Sequence, residues 1–290
     1  VSVATTSNGD IEIAYQTVGP AGGRPLLLIT GFTAPMAAWP DGFCAALVDR
    51  GFHVARFDNR DAGRSSRATR RYTLAEMAGD ALAVLDALGW PAAHVVGQSM
   101  GGMVGQVLAA RHGERVLSLT SMSSAPDHRV RVDPRRLGLV LRYLVLSART
   151  PAGPAAAGEQ LVRLMRLIGS PGYPPDEAWL RRLGAESFAH RTDLAASRRQ
   201  VAAVRAAGDR RAELAGVRVP TLVLHGEADP AQPPRAGRAT AAAIPGARFV
   251  GYPGMGHDVP RELWPAISAE IEAVAASRDG VAGPGPAAAR

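Results

Sequence analysis

The feature that most constrains this chain is a repeated alternation of short β-rich runs with helical stretches. "IEIAYQTV" (Ile11–Val18) alternates apolar and polar positions like a half-buried strand, whereas "PLLLIT" (25–30) is continuously apolar, as strands covered on both faces are. "FHVARFD" (52–58), "AHVVG" (93–97), "VLSLTSM" (116–122), "PTLVLHG" (220–226) and "ARFVGYP" (247–253) continue the series. Helical patterns fill the intervals at about 41–49, 73–88, 100–112, 235–243 and 261–276. Strand then helix, repeated, predicts an α/β fold with a mostly parallel central sheet flanked by helices.

The alternation breaks once. Between about 124 and 214 the pattern is helical throughout: "RRLGLVLRYLVLSA", "GEQLVRLMRLIG", "DEAWLRRLGAESFAHR" and "SRRQVAAVRAA". A helical insertion in such a chain is expected to cap the carboxyl ends of the strands, where open sheets bind ligands. The expected organisation is a core of 1–123 and 215–277, a helical cap at 124–214, and a mobile tail at 278–290 that is rich in Gly, Pro and Ala. Within the cap, "GSPGYPP" (169–175) has the residues of a bend between helices.

Composition narrows the function classes. The chain has 290 residues, 47% of them hydrophobic and 20% charged, enough for a sizeable core. All 33 basic residues are Arg and the formal net charge is +7, but the arginines are dispersed and not interleaved with aromatics, which argues against a nucleic-acid partner. The single cysteine, Cys44, excludes an intramolecular disulfide and a cysteine-rich zinc site. The N-terminal stretch has no charged and apolar targeting pattern and no run of eighteen apolar residues occurs, so a cytoplasmic location without a membrane span is expected.

The chemistry centres on "HVVGQSMGGMVGQVLAA", which reads as strand, sharp turn and helix with Ser99 at the apex between Gly97 and Gly101. This G-x-S-x-G turn lifts a hydroxyl out of the backbone and sets it at a helix N-terminus, where free N–H groups favour developing negative charge. A serine hydroxyl is a weak nucleophile and needs a base within hydrogen-bond reach and a third group to orient that base. On a sheet of this kind the acid and the histidine follow the serine, each in a loop after a later strand. His53, His94 and His225 lie in or beside strand runs, His112 ends a helix, and His128 and His190 fall in the insertion. His257, in the Gly-rich "YPGMGHDVPREL", is the expected base, and Asp229 in "LVLHGEADPAQPP" the expected acid. Glu227 competes with Asp229; Asp258 adjoins the histidine itself and is poorly placed to face it. Met100, after the serine, and Phe32, in "LLLITGFTAPMAAW", are the expected backbone donors of an oxyanion hole.

At these residues, and at "RFDNRDAGRSS" (56–66), the chain resembles the α/β-hydrolase superfamily over nearly its whole length. Within it, the stretches "LVRLMRLIGSPGYPPDE" and "GMGHDVPRELW" are similar to actinobacterial esterases of the lipase-G type and, more distantly, to aclacinomycin methylesterases. The resemblance implies a carboxylic-ester hydrolase. One departure is Thr30-Gly31, where many relatives have His-Gly; the donor there is a backbone N–H, so the chemistry survives while the loop anchoring differs.

The expected reaction is serine ester hydrolysis through an acyl-enzyme, on a small to medium, apolar ester, with water as second substrate and no metal or organic cofactor. Gly31, Thr33, Trp39, Tyr143, Met165, Tyr173 and Trp179 are the expected substrate-binding residues. Leu and Met stripes on helices serve cores more often than ligands. Arg129, Arg131, Arg135 and Arg136 could steer an anionic substrate or simply form a solvated face. Acyl transfer, perhydrolysis, thioester hydrolysis and C–C cleavage would use the same three side chains, and a non-hydrolytic biosynthetic enzyme or binding protein could keep the fold. The expected assembly is a monomer or homodimer.

Overall fold

The structure, a computed structural model, describes residues 2–127, 137–147 and 149–279. His128, the four arginines at 129, 131, 135 and 136, and the tail from 280 onward lie outside the described residues. Among the described residues eight strands form one sheet: β1 (Ala4–Asn8), β2 (Ile11–Val18), β3 (Arg24–Ile29), β4 (Phe52–Phe57), β5 (Ala93–Gln98), β6 (Val116–Met122), β7 (Thr221–Gly226) and β8 (Arg248–Tyr252). Their order is β1-β2-β4-β3-β5-β6-β7-β8. All neighbours from β4 to β8 pair in parallel; β2 runs antiparallel to both β1 and β4.

Helices α1 (Asp41–Val48), α2 (Leu74–Ala87), α3 (Met100–Arg111), α9 (Pro234–Ala243) and α10 (Trp264–Asp279) follow strands and cover the two faces. Successive side chains of a strand point to opposite faces, so Leu26 and Leu28 pack with Phe43 and Ile271 on one side, while Leu27 and Ile29 pack with Met77 and Val104 on the other. Both faces are therefore dry, which is why β3 is written as an unbroken apolar run. Helix α2 starts on a capping box: Thr73 Oγ1 accepts the Glu76 N–H at 3.2 Å and Glu76 Oε2 accepts the Thr73 N–H at 3.0 Å. Its buried Leu74, Met77, Ala78, Ala81, Val84 and Leu85 fall at helical spacing.

The edge strand β1 is an addition to the series read from the sequence. Its "ATTSN" is polar and mostly exposed, so no apolar period marks it. Asn8 anchors it by donating from Nδ2 to Asp80 Oδ1 at 2.9 Å, on a carboxylate that also takes both arms of the Arg60 guanidinium at 2.6 Å.

Helices α4 (Leu137–Ser147), α5 (Pro154–Ile168), α6 (Glu177–Glu186), α7 (Leu194–Ala206) and the short α8 (Arg211–Leu214) all lie between β6 and β7. The four helical stretches read from the sequence overlap α4 to α7, with ends that differ by up to five residues; α8, a single turn, is a further addition. Among the described residues no helix is long and apolar enough to cross a membrane.

Candidate active site

Ser99 joins β5 to α3 with φ 55° and ψ −118°, a backbone conformation that a non-glycine residue adopts only when its surroundings impose it. Two missing side chains make room for this turn. A Cβ on Gly97 would lie 2.2 Å from the Gly101 carbonyl oxygen, and one on Gly101 would lie 2.2 Å from that of Ile29. Strand, helix and the neighbouring β3 thus touch backbone to backbone. The Ser99 N–H is fixed to Met122 O at 2.9 Å, and its carbonyl accepts the Ser124 hydroxyl at 2.8 Å.

His257 reaches Ser99 from the loop after β8: its Nε2 stands 3.0 Å from Ser99 Oγ. Its Nδ1 stands 2.7 Å from Asp229 Oδ2, in the loop after β7. Asp229 is fully buried, and its other oxygen accepts the N–H groups of Ala231 and Gln232, each at 2.8 Å. An acceptor held this way makes Nδ1 the donor and leaves Nε2 free to accept from the serine hydroxyl. Burial acts against the protonated imidazole, but the charge and hydrogen bond of Asp229 outweigh it, so the His257 pKa is raised above the ordinary value.

The competing acids are accounted for. Glu227 is exposed on the same loop. Asp258 accepts the Ser170 hydroxyl, and its charge adds to the rise in the His257 pKa. Of the other histidines, His94 is buried against Ser118 Oγ at 2.8 Å, and His225 is buried with Nε2 2.9 Å from the Gln232 carbonyl. Cys44 is in the core, where burial pushes its thiol pKa up to about 11.

Phe32 and Thr33 occupy the turn Gly31–Ala34, closed by Ala34 N–H to Gly31 O at 3.4 Å. The turn lies against the serine: a Cβ on Gly31 would be 3.2 Å from Ser99 Cβ. Met100 opens α3, and the first N–H groups of a helix have no acceptor within it. The N–H of Thr33 donates to Gln200 Oε1 on α7 at 2.9 Å.

The remaining expected wall residues scatter. Trp39 is instead a core side chain, 1% exposed and stacked on Phe43 at 5.7 Å between ring centroids; the apolar face of α1 claims it. Tyr173 donates its hydroxyl to Pro253 O at 3.2 Å, beside the histidine loop. Tyr143, Met165 and Trp179 are partly buried on α4, α5 and α6, and no hydrogen bond or ring contact among the described residues joins them to Ser99, Asp229 or His257.

Sequence reasoning missed the residues that tie the insertion to the site. The His257 N–H donates to Ile168 O at 2.8 Å, the last residue of α5, and the Gly256 N–H donates to Ser170 Oγ at 2.8 Å. On the opposite side Gln200, fully buried, spans Thr33 N–H and Arg60 O, the latter at 3.0 Å from Nε2. A signal for Gln200 existed: Ala196, Gln200 and Ala203 stand at helical spacing on the one buried face of α7.

Known proteins are similar to this chain in sequence and in fold. The family model for the alpha/beta hydrolase fold matches residues 24–260, and the chain belongs to that family. It is an enzyme, a hydrolase of the esterase type. It is 36% identical over 288 residues to rhodomycin D methylesterase DnrP of Streptomyces peucetius, covering 91% of this chain and 95% of that protein. It is equally 36% identical to rhodomycin D methylesterase DauP of Streptomyces sp. (strain C5), covering 90% and 94%. Among solved structures it is similar to the enol-lactonase from Burkholderia xenovorans LB400, with TM-score 0.74, 27% identity, and coverage of 94% of this chain and 99% of that one.

Proposed function

We propose that this protein hydrolyses a carboxylic ester through Ser99, His257 and Asp229. The observation that carries the reading is the unbroken chain of 2.7 Å from Asp229 Oδ2 to His257 Nδ1 and 3.0 Å from His257 Nε2 to Ser99 Oγ. Ser99 Oγ attacks the acyl carbon as its proton passes to His257 Nε2, and the oxyanion is held by the N–H groups of Phe32 and Met100. His257 gives that proton to the leaving alkoxide, which departs as the alcohol. A water then attacks the acyl-enzyme, His257 takes its proton and returns it to Ser99 as the acid leaves. Asp229 holds the ring in the required tautomer and stabilises the imidazolium.

In this reading 124–214 is a cap over the serine, and Gly31, Phe32, Thr33, Tyr143, Met165, Tyr173 and Trp179 form the walls available to a small to medium apolar ester. The names of the two Streptomyces relatives make a methyl ester the first candidate. The test is hydrolysis of p-nitrophenyl esters of increasing acyl length and of methyl esters, by the wild type and by Ser99→Ala. Turnover is expected to fall by a factor of about 10⁴ or more in Ser99→Ala. Undiminished turnover in that variant, or a folded wild type that neither turns over any ester nor labels with a fluorophosphonate, would overturn the proposal.

A further inference from the structure

We infer that Gln98, the residue before the serine, is a positioning residue for His257, its side-chain amide tying the main chain of the base to the strand that carries Ser99. The inference rests on the reading of Ser99 and His257 as nucleophile and base, and adds to it a residue with no part in the proton transfers.

Gln98 ends β5, and its Nε2 donates to the His257 carbonyl at 3.1 Å, across 159 residues of sequence. Strand alternation puts the side chain there. Val96, two residues earlier and on the same face, belongs to one buried core cluster with Met255, two residues before the histidine. That face of β5 is the one on which the loop after β8 packs. The direction of the amide follows from its partner: a carbonyl oxygen accepts, so Nε2 and not Oε1 must face it.

The bond acts on the ring through the Cα of His257. Swinging the imidazole about the N–Cα bond carries Cβ and the carbonyl carbon together, because both are attached to that Cα. A hold on the carbonyl therefore resists the swing, while the N–H on the other side of the Cα is held by Ile168 O at 2.8 Å. Asp229 grips the ring at Nδ1, 2.7 Å away, and a single contact of that kind is a pivot. A base must stand within about 3.2 Å of the proton donor it serves, so the 3.0 Å from Nε2 to Ser99 Oγ leaves little slack. The two main-chain holds also differ in origin. Ile168 ties the base to the insertion, whereas Gln98, one peptide bond from Ser99, ties it directly to the nucleophile.

The experiment compares Gln98→Met and Gln98→Glu with the wild type. Methionine keeps the length of the side chain and removes the donor; glutamate keeps its shape and sets acceptor oxygens against the His257 carbonyl. The readouts are kcat and KM for p-nitrophenyl butyrate, the rate of inactivation by a fluorophosphonate, which uses the same serine and histidine, and thermal melting. Both variants are expected to lower kcat and the inactivation rate together, by about tenfold or more, with KM and the melting temperature nearly unchanged. A side chain that only fills space would be replaced without loss, so full kcat in a folded Gln98→Met or Gln98→Glu would overturn the inference. A fall in kcat explained by a smaller fraction of folded protein would overturn it too. If Gln98→Met does not fold, Gln98→Glu reads the same quantities, and failure of both to fold would make the role of Gln98 one of stability, against the inference. Ser99→Ala separates the two levels: full activity there removes the proposed reaction, whereas an inactive Ser99→Ala beside a fully active Gln98→Met removes this inference alone.

Discussion

Beside the serine and the histidine, among the described residues, the insertion grips the core at two places built from different materials. On the histidine side the grip is mostly backbone: His257 N–H to Ile168 O at 2.8 Å and Gly172 N–H to Gly254 O at 2.9 Å, with Ser170 Oγ bridging Gly256 N–H and Asp258. On the side of the Gly31–Ala34 turn it is side chain to backbone and side chain to side chain: Gln200 on Thr33 and Arg60, Thr192 on the Asp61 carbonyl at 3.0 Å, and Arg199 on the Asp61 carboxylate at 2.6 and 2.8 Å. A backbone grip is broken by adding an atom, since a Cβ on Gly256 would lie 2.1 Å from the Gly169 carbonyl oxygen. A side-chain grip is broken by removing atoms. The two also act on different partners, one on the imidazole and the other on the turn, so damage to each should leave a different kinetic trace.

Asp229→Asn calibrates the histidine side and has the largest expected effect. It should lower kcat by a factor of about 10⁴ by disturbing the tautomer. It should also move the acid limb of kcat/KM to lower pH. The sign follows from the proposed mechanism, in which His257 takes the serine proton when neutral: Asp229 raises its pKa, and removing that charge lowers it. Gly256→Ala should follow in the same direction, with kcat down by about a hundredfold as the histidine loop is pushed off Ile168. Its acid limb, read from a pH profile with p-nitrophenyl butyrate, should shift the same way; an unmoved limb would mean that the loop absorbs the new methyl without disturbing the Asp229 contact.

Ser170→Ala is milder because the main-chain bonds around it survive. It leaves the Gly256 N–H without its acceptor, which should cost about 1–3 kcal/mol of stability in urea unfolding, with a smaller fall in kcat. Arg199→Ala tests the other grip and should cost about 2 kcal/mol, because Asp61 keeps its bonds from Tyr72 Oη at 2.8 Å and the Ala68 N–H at 2.9 Å. Burial works to raise the Asp61 pKa, but the bonds from Arg199, Tyr72 and Ala68 outweigh it and hold the value below the ordinary one. The stability so gained is fully present above the unfolded value of about 3.9 and is lost as pH falls through the lower folded value. In Arg199→Ala, acid unfolding should therefore begin at higher pH than in the wild type, while the acid limb of activity stays in place. A shifted limb would show that the two grips are not independent.

Much of the fold is legible in the sequence because burial on both faces leaves a local trace. The runs around β3, β5 and β7 are largely apolar and buried, and α2 announces its start with Thr73 and Glu76. β1 is not legible, since an exposed polar edge strand, paired with β2 through its backbone and tied to Asp80 by Asn8, carries no apolar period. The serine, aspartate and histidine that meet can be picked out because each stands in a short loop directly after a strand, a position that a sequence does record. Trp39 misleads for the converse reason: an aromatic residue near a Gly-rich turn looks the same whether it faces a ligand or, as here, Phe43.

The sequence by itself determined the succession of strands and helices, the place of the one helical insertion, and which serine, histidine and acid could meet. These depend on periodicity and on turn chemistry within a few residues. Only the tertiary structure decided which residues of the insertion pack around them. Gln200 meets Thr33 across 167 residues, and Ser170 meets Gly256 across 86. A hydrogen bond between such partners leaves no period in either segment, because its geometry is set by how two separately folded elements pack and not by the order of residues within either one.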